Sequence, residues 1–311
     1  MRYLKILAVV LLLSAPALTQ AEVPALPASA TWYFHADFDA MRTGKAGRTL
    51  YDWMDAEVFA EIRDEVGIDV GKEAKQLTAF AAAGEGPVIV IEGNISQETK
   101  DKLLAIATAQ ADGDLQTFKA SGKTYYLFTD NGGHDHDGHN NHVDIDMGSL
   151  DEAAYVSFDL KDKVLITNSD KQMTALLASN GRIDSGEPAT KALFVLRADR
   201  GLIQAGVNAD ELDDNSDWDS NILRNTRQVA VLLADLGDKL GFEAQLMTNE
   251  ADMANAMASI VRGLISLQAF NDELDPELSS ILQSTSVDVI DNTLKIALAL
   301  DPAVVVSALE D

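Results

Sequence analysis

Between Leu77 and Ala107 the chain reads LTAFAAA, a GEG turn, PVIVIEGN and then SQETKDKLLAIA. Two apolar runs of about six residues around a glycine turn predict a β-hairpin. The stretch after them changes to helical spacing. Ser96 stands where an N-cap would, and Glu98 lies in the first turn, where the helix dipole favours an acid. The same alternation returns along the chain. Leu115 to Thr129 reads as a hairpin turning at Ser121-Gly122. Ala154 to Ser179 gives AYVSFDL, a KDK turn, VLITN and a helix closed by Asn180-Gly181. Further on come VAVLLAD, a turn at Leu236 to Asp238, LGFEAQLM and a helix from Asn249 to Phe270. The last such unit is TSVDVID, a turn at Asp291-Asn292, TLKIALAL and a helix from Pro302, with Asp301 as its cap. A short helix, Pro276 to Gln283, precedes it.

Two strands introduce these units. In Thr31 to Asp39, TWYFHADFD, alternation puts Trp32, Phe34, Ala36 and Phe38 on one face and Tyr33, His35, Asp37 and Asp39 on the other. This predicts a strand with one face on the core. KALFVLRADRG, from Lys191 to Gly201, matches it. Leu50 to Val66 reads as a helix that Gly67 would end. The short run Thr43 to Gly47, TGKAG, lacks phosphate-loop spacing and is assigned to a turn.

The pattern predicts an α+β fold: antiparallel sheet built from repeated hairpin–helix units in two similar halves, with helices packed on one face. The first half spans 22–181, a polar segment at 182–190 forms the linker, and the second half spans 191–311. The opening LPASATWYFHADF resembles the lead strand of secreted bacterial proteins with duplicated α+β halves. That resemblance implies the duplicated plan and no activity.

Composition narrows the setting. Arg2 and Lys5 precede the apolar run Ile6 to Leu13, which predicts a signal peptide over 1–21 with cleavage near Ala21. The destination is the periplasm or the exterior, with no membrane span left after cleavage. The 311 residues contain no cysteine, so disulfides are excluded although that compartment permits them. A net charge of −26 argues against nucleic acid.

One loop carries candidate chemistry. The segment 130–150 includes NGGHDHDGHNNHVDID and holds four of the five histidines, His134, His136, His139 and His142, with Asp135 and Asp137 between them. Imidazole is the commonest metal ligand near neutral pH, and carboxylates add charge and ligands. Zinc suits this set, and copper or nickel would also bind. The loop resembles the histidine-rich loops of periplasmic zinc-handling proteins, which implies binding of a divalent cation. The alternative is a solvated insertion with no physiological metal.

Two other features are weighed. His35 and Asp37 share a strand face, and the matching strand has Arg197 and Asp199 there. Arginine cannot ligate a metal, so a structural ion pair is expected. DELDDNSDWD, from Asp210 to Asp219, lacks the glycine and closing glutamate of a calcium loop. No G-x-S-x-G motif is present, and His35 is the sole histidine outside the loop that could activate a serine. The first expectation is therefore a secreted, non-enzymatic binding protein for a protein or small ligand. The alternatives are a metal buffer acting through the histidine loop and a hydrolase using two carboxylates.

Overall fold

The computed structural model describes residues 30–82, 85–110, 115–129, 153–183, 192–200, 225–268 and 276–310. Strand β1 (Ala30–Asp37) leads into helices α1 (Phe38–Thr43) and α2 (Lys45–Met54), a π-helical turn (Asp55–Phe59), and helices α3 (Ala60–Val66) and α4 (Val70–Glu73). The hairpin β2 (Ala74–Ala82) and β3 (Pro87–Gly93) follows, then α5 (Gln97–Gln110). Next come β4 (Gln116–Ala120), β5 (Lys123–Thr129), β6 (Ala153–Ser157), β7 (Lys163–Thr167) and α6 (Asp170–Ala178). The rest comprises β8 (Ala192–Asp199), β9 (Thr226–Asp235), β10 (Leu240–Thr248), α7 (Ala251–Gln268), α8 (Pro276–Ser284), β11 (Ser286–Ile290), β12 (Thr293–Leu300) and α9 (Pro302–Glu310).

The described strands form one antiparallel sheet in the order β11-β12-β10-β9-β8-β1-β2-β3-β7-β6-β5-β4. The fold is thus the expected α+β class. At the centre, β1 pairs with β8 about Phe34 and Leu196, so the sheet runs unbroken from residues before the 182–190 segment to residues after it. Outward from this pair the β8 side continues through two hairpins, β9–β10 and β12–β11, and the β1 side through three, β2–β3, β7–β6 and β5–β4, so the two halves are not of equal extent. Asp37 lies opposite Gln76 on one side, and Asp199 opposite Gln228 on the other.

The reading of β1's faces is corrected by a core on each side of the sheet: Tyr33 and His35 are as buried as Ala36. Tyr33 joins Phe80, Val90, Leu165 and Leu232 in one core. Ala36, Phe38 and Met41 join Leu50, Phe59 and Leu193 in a second core on the opposite face, beneath α1 and α2. Met257 and Ala258 of α7 cover Leu294 and Val287, on the same side as that second core. Helices gather mainly on this face. Helix α6 is the exception: its Met173, Leu176 and Leu177 pack with Tyr33 and Leu165.

Three local readings shift. The strand ends at Asp37, because its carboxylate accepts the Ala40 N–H at 2.8 Å and so starts α1. The expected Leu50–Val66 helix starts earlier, at Lys45, and runs on to Gly67 with a π turn inside it, where the Ala60 N–H reaches the Asp55 carbonyl. The Thr43–Gly47 turn is instead the start of α2 at Lys45. Other caps stand where expected: Ser96 Oγ accepts the Thr99 N–H at 3.1 Å, and Asp301 accepts the Ala303 N–H at 2.9 Å.

Helix α2 takes its cap from far along the chain. Gly44 precedes it and makes no side-chain cap. Asp235, at the end of β9, accepts the Gly47 N–H at 2.7 Å and the Gly237 N–H at 2.6 Å. A Cβ on Gly44 would lie 2.1 Å from the Asp235 carboxylate, so the glycine makes room for it. Lys45 adds an exposed ion pair to Asp238. Asp235→Ala should cost about 1–2 kcal/mol, the usual worth of a charged cap. The readout is a lower denaturation midpoint at unchanged slope; an unmoved midpoint would contradict the cap.

Candidate functional site

The six metal-ligand candidates, His134, His136, His139, His142, Asp135 and Asp137, lie outside the described residues, as do the signal segment and the 210–219 acidic run. Among the described residues no group of three or more histidine, aspartate or glutamate side chains is placed to hold a metal ion. What the structure does define at the loop is its base. Thr129 and Ala153 are register partners on β5 and β6, so the chain leaves and re-enters the sheet at one rung.

His35 is buried, 2% exposed, between β2 and β8. Its Nδ1 shares a hydrogen bond with Thr78 Oγ1 at 2.9 Å, and its ring stacks on Tyr33. Asp37 does not pair with it. That carboxylate is taken up by the Ala40 N–H and by the Gln76 amide at 2.9 Å. The expected ion pair is therefore replaced by two separate structural roles. Across the sheet Arg197 likewise turns to Gln228.

Burial holds the His35 pKa below its ordinary value, while Asp37 and Glu92 pull weakly the other way. The unfolded chain, with a histidine pKa of about 6.5, then binds the proton more readily. The stabilising contribution is whole above about pH 6.5 and drains as pH falls through that value towards the lower folded one. Melting temperature between pH 7.5 and 5 should fall more steeply for the wild type than for His35→Gln. Parallel curves would show that His35 is not the group responsible.

A site that the sequence pattern did not reveal lies where β1, β2 and β3 meet α1 and α4. Ala74 pairs with Gly93 and Gln76 with Glu92, which leaves Lys75 as the extra residue of a β-bulge. Bulges re-aim side chains and are common beside functional sites. Lys75, Asp39 and Asn94 line two adjoining open depressions, of about 470 Å³ and about 500 Å³. With no described residue does the Lys75 amine make a hydrogen bond or ion pair.

The smaller depression holds Arg42, Arg63 and Lys72 beside Lys75. Arg42 spans the Gly71 and Ala74 carbonyls, stacks over Tyr51 and pairs with Asp39 at 3.2 Å. Arg63 reaches Asp55 at 3.4 Å and Asp69 at 3.5 Å, both at the long limit for such contacts. Asp55 opens the π turn, a kind of irregularity often found at functional sites.

The larger depression is lined by Asp37, Glu92 and Asp162 together with Asp39. Asp37 caps α1, Asp39 pairs with Arg42, and Glu92 pairs with Lys163. Only the Asp162 carboxylate lacks a described partner. A two-carboxylate hydrolysis needs one acid and one nucleophile or base free to act. Three of these four carboxylates are already engaged, and Asp162 is the one in this depression without a described partner.

No protein-family model matches the sequence, and no curated protein matches it. Among solved structures the chain is similar to TP0453. Crystal form III is 10% identical over 90% of this chain and 94% of that chain, with a TM-score of 0.47. Crystal form IV is 10% identical over 91% and 93%, with a TM-score of 0.48. A likeness of this size bears on neither ligand nor chemistry. No described helix is long and apolar enough to cross a membrane.

Sequence pattern missed this site for a physical reason. The apolar run that marks the strand starts only at Leu77. Lys75-Gln76, two adjacent polar residues, break the alternation and mark a bulge only once Gly93 is known to be the partner.

Proposed function

We propose that this is a non-catalytic binding protein of the extracytoplasmic space. Its ligand is a small polar molecule held at the β1–β2–β3 end of the sheet. The observation that carries the reading is Lys75, a half-buried residue whose amine has no described partner, set on a bulge in the wall between two depressions. A bulge costs a ladder position and an unpaired lysine adds no fold energy, so a ligand accounts for both. Site volumes of a few hundred Å³ suit small molecules. The signal-like leader supports the compartment.

The test is a thermal-shift screen of amino acids, short peptides, sugars and phosphates on the mature protein and on Lys75→Ala. Ligands that raise the wild-type melting temperature should do so far less in the variant. If none distinguishes the two proteins, the site is not a binding site.

A second reading stands on the loop. The Thr129–Ala153 rung tethers both ends of the 130–152 segment at one point, which raises the effective concentration of its imidazoles about one another. We propose that zinc, copper or nickel binds there through His134, His136, His139 and His142 with Asp135 and Asp137. Zinc titration calorimetry on the wild type and on a variant with all four histidines replaced by alanine decides it. Equal affinities, or wild-type affinity weaker than about millimolar, remove the reading.

A further inference from the structure

The two depressions carry opposite charge, and this limits what can bind. One gathers the cations Arg42, Arg63, Lys72 and Lys75 against three carboxylates. The other is lined by four carboxylates and one cation, Lys75; Asp39 and Glu92 among the four also pair with Arg42 and Lys163. In a chain with 50 acidic and 24 basic residues, a patch chosen at random should be acidic. A cation-rich hollow beside an acidic one is therefore a departure from composition. Because they share Lys75, Asp39 and Asn94, a ligand with one charge is drawn to one hollow and repelled by its neighbour. A ligand with both charges satisfies both.

We infer that the ligand is zwitterionic and of short-peptide size: its carboxylate lies against Lys72, Lys75 and Arg63, its ammonium lies against Asp162 and Glu92, and its backbone crosses the wall at Asn94. This rests on the binding reading above and names the ligand class for that same site. Arg63 is suited to the anion, since its present contacts are long and can be exchanged for a bidentate one. Lys72 is suited as well, since its amine has no described partner. Asn94 presents a side-chain amide, donor and acceptor together, where a peptide backbone would pass. The combined volume, just under about 1,000 Å³, is that of a di- or tripeptide with its water.

Titration calorimetry on the mature protein with three probes tests this: triglycine, which bears both charges; N-acetyl-triglycine, which is an anion only; and triglycine amide, which is a cation only. Triglycine should bind at least about tenfold more tightly than either blocked form, since each loses one charged contact. Asp162→Asn should shrink its advantage over the acetylated probe, and Lys72→Ala its advantage over the amide. A blocked probe that binds as tightly as triglycine overturns the zwitterion inference and leaves the binding reading intact. Failure of all three, with another screened compound still bound in a Lys75-dependent way, overturns the peptide class alone. Failure of every compound overturns both.

Discussion

Gly93→Ala should destabilise the protein by about 3 kcal/mol, the upper range for forced overpacking, and lower its melting temperature by roughly 6–12 °C. A Cβ at this position would lie 2.0 Å from the Glu73 carbonyl oxygen and 3.0 Å from the Ala74 Cα. Both are backbone atoms, so no side chain can swing aside. Nor can either strand yield freely. The Gly93 N–H donates to the Asp162 carbonyl at 2.9 Å, and the Asn94 N–H donates to the same Glu73 oxygen at 2.9 Å. The glycine sits opposite the bulge, so any movement that relieves the clash also turns Lys75 and Asn94. Gly93→Ala should therefore weaken triglycine binding beyond what the fraction unfolded explains. Scanning calorimetry gives the stability arm and titration well below the transition gives the binding arm. A variant as stable as the wild type would mean that β2 and β3 can separate here, and the bulge would lose its claim to aim a side chain.

The parts legible from sequence are those governed by local chemistry. Ser96, Asp301 and the Ser121-Gly122 and Asp291-Asn292 turns act through neighbours a few residues away, and each stands where its pattern placed it. Hairpins were legible because period-two alternation survives wherever one face is polar. What failed depends on partners remote in sequence. Alternation in β1 predicted one buried face, but a core packs on each side of the sheet and His35 is as buried as Ala36. TGKAG looked like a turn because its cap, Asp235, lies 188 residues away in sequence. The bulge at Lys75 is a register event, set by what lies opposite rather than by the residue itself, and the π turn at Asp55 is an extra residue within a helix. The depressions follow from those two irregularities, so they too could not be seen in the linear pattern.

Leu177→Ala should cost about 4 kcal/mol, near the top of the range for a buried leucine. Leu177 is fully buried in the core with Leu165, Val90 and Met173, and α6 is the described helix that closes this face. The size of the loss depends on whether the helix can settle into the cavity. Four contacts hold it off. Tyr125 Oη donates to Asp170 at 2.6 Å, and Thr167 Oγ1 donates to Gln172 at 2.7 Å. Lys123 Nζ donates to the Leu177 carbonyl itself at 3.0 Å, and the Gly181 N–H donates to the Leu176 carbonyl at 2.7 Å. Pinned at both ends, the helix keeps its distance and the cavity stays open. Chemical denaturation should show the midpoint falling with the slope unchanged. Because α6 does not line either depression, the Lys75-dependent ligand should bind Leu177→Ala as it binds the wild type. A loss below about 2 kcal/mol would mean that the pins give way and the helix sinks. A loss of ligand affinity without a loss of folded protein would mean that the Tyr33 face and the β1–β2–β3 end move as one unit, coupled through β3, whose Val90 lies in this core and whose Gly93 lines the acidic depression.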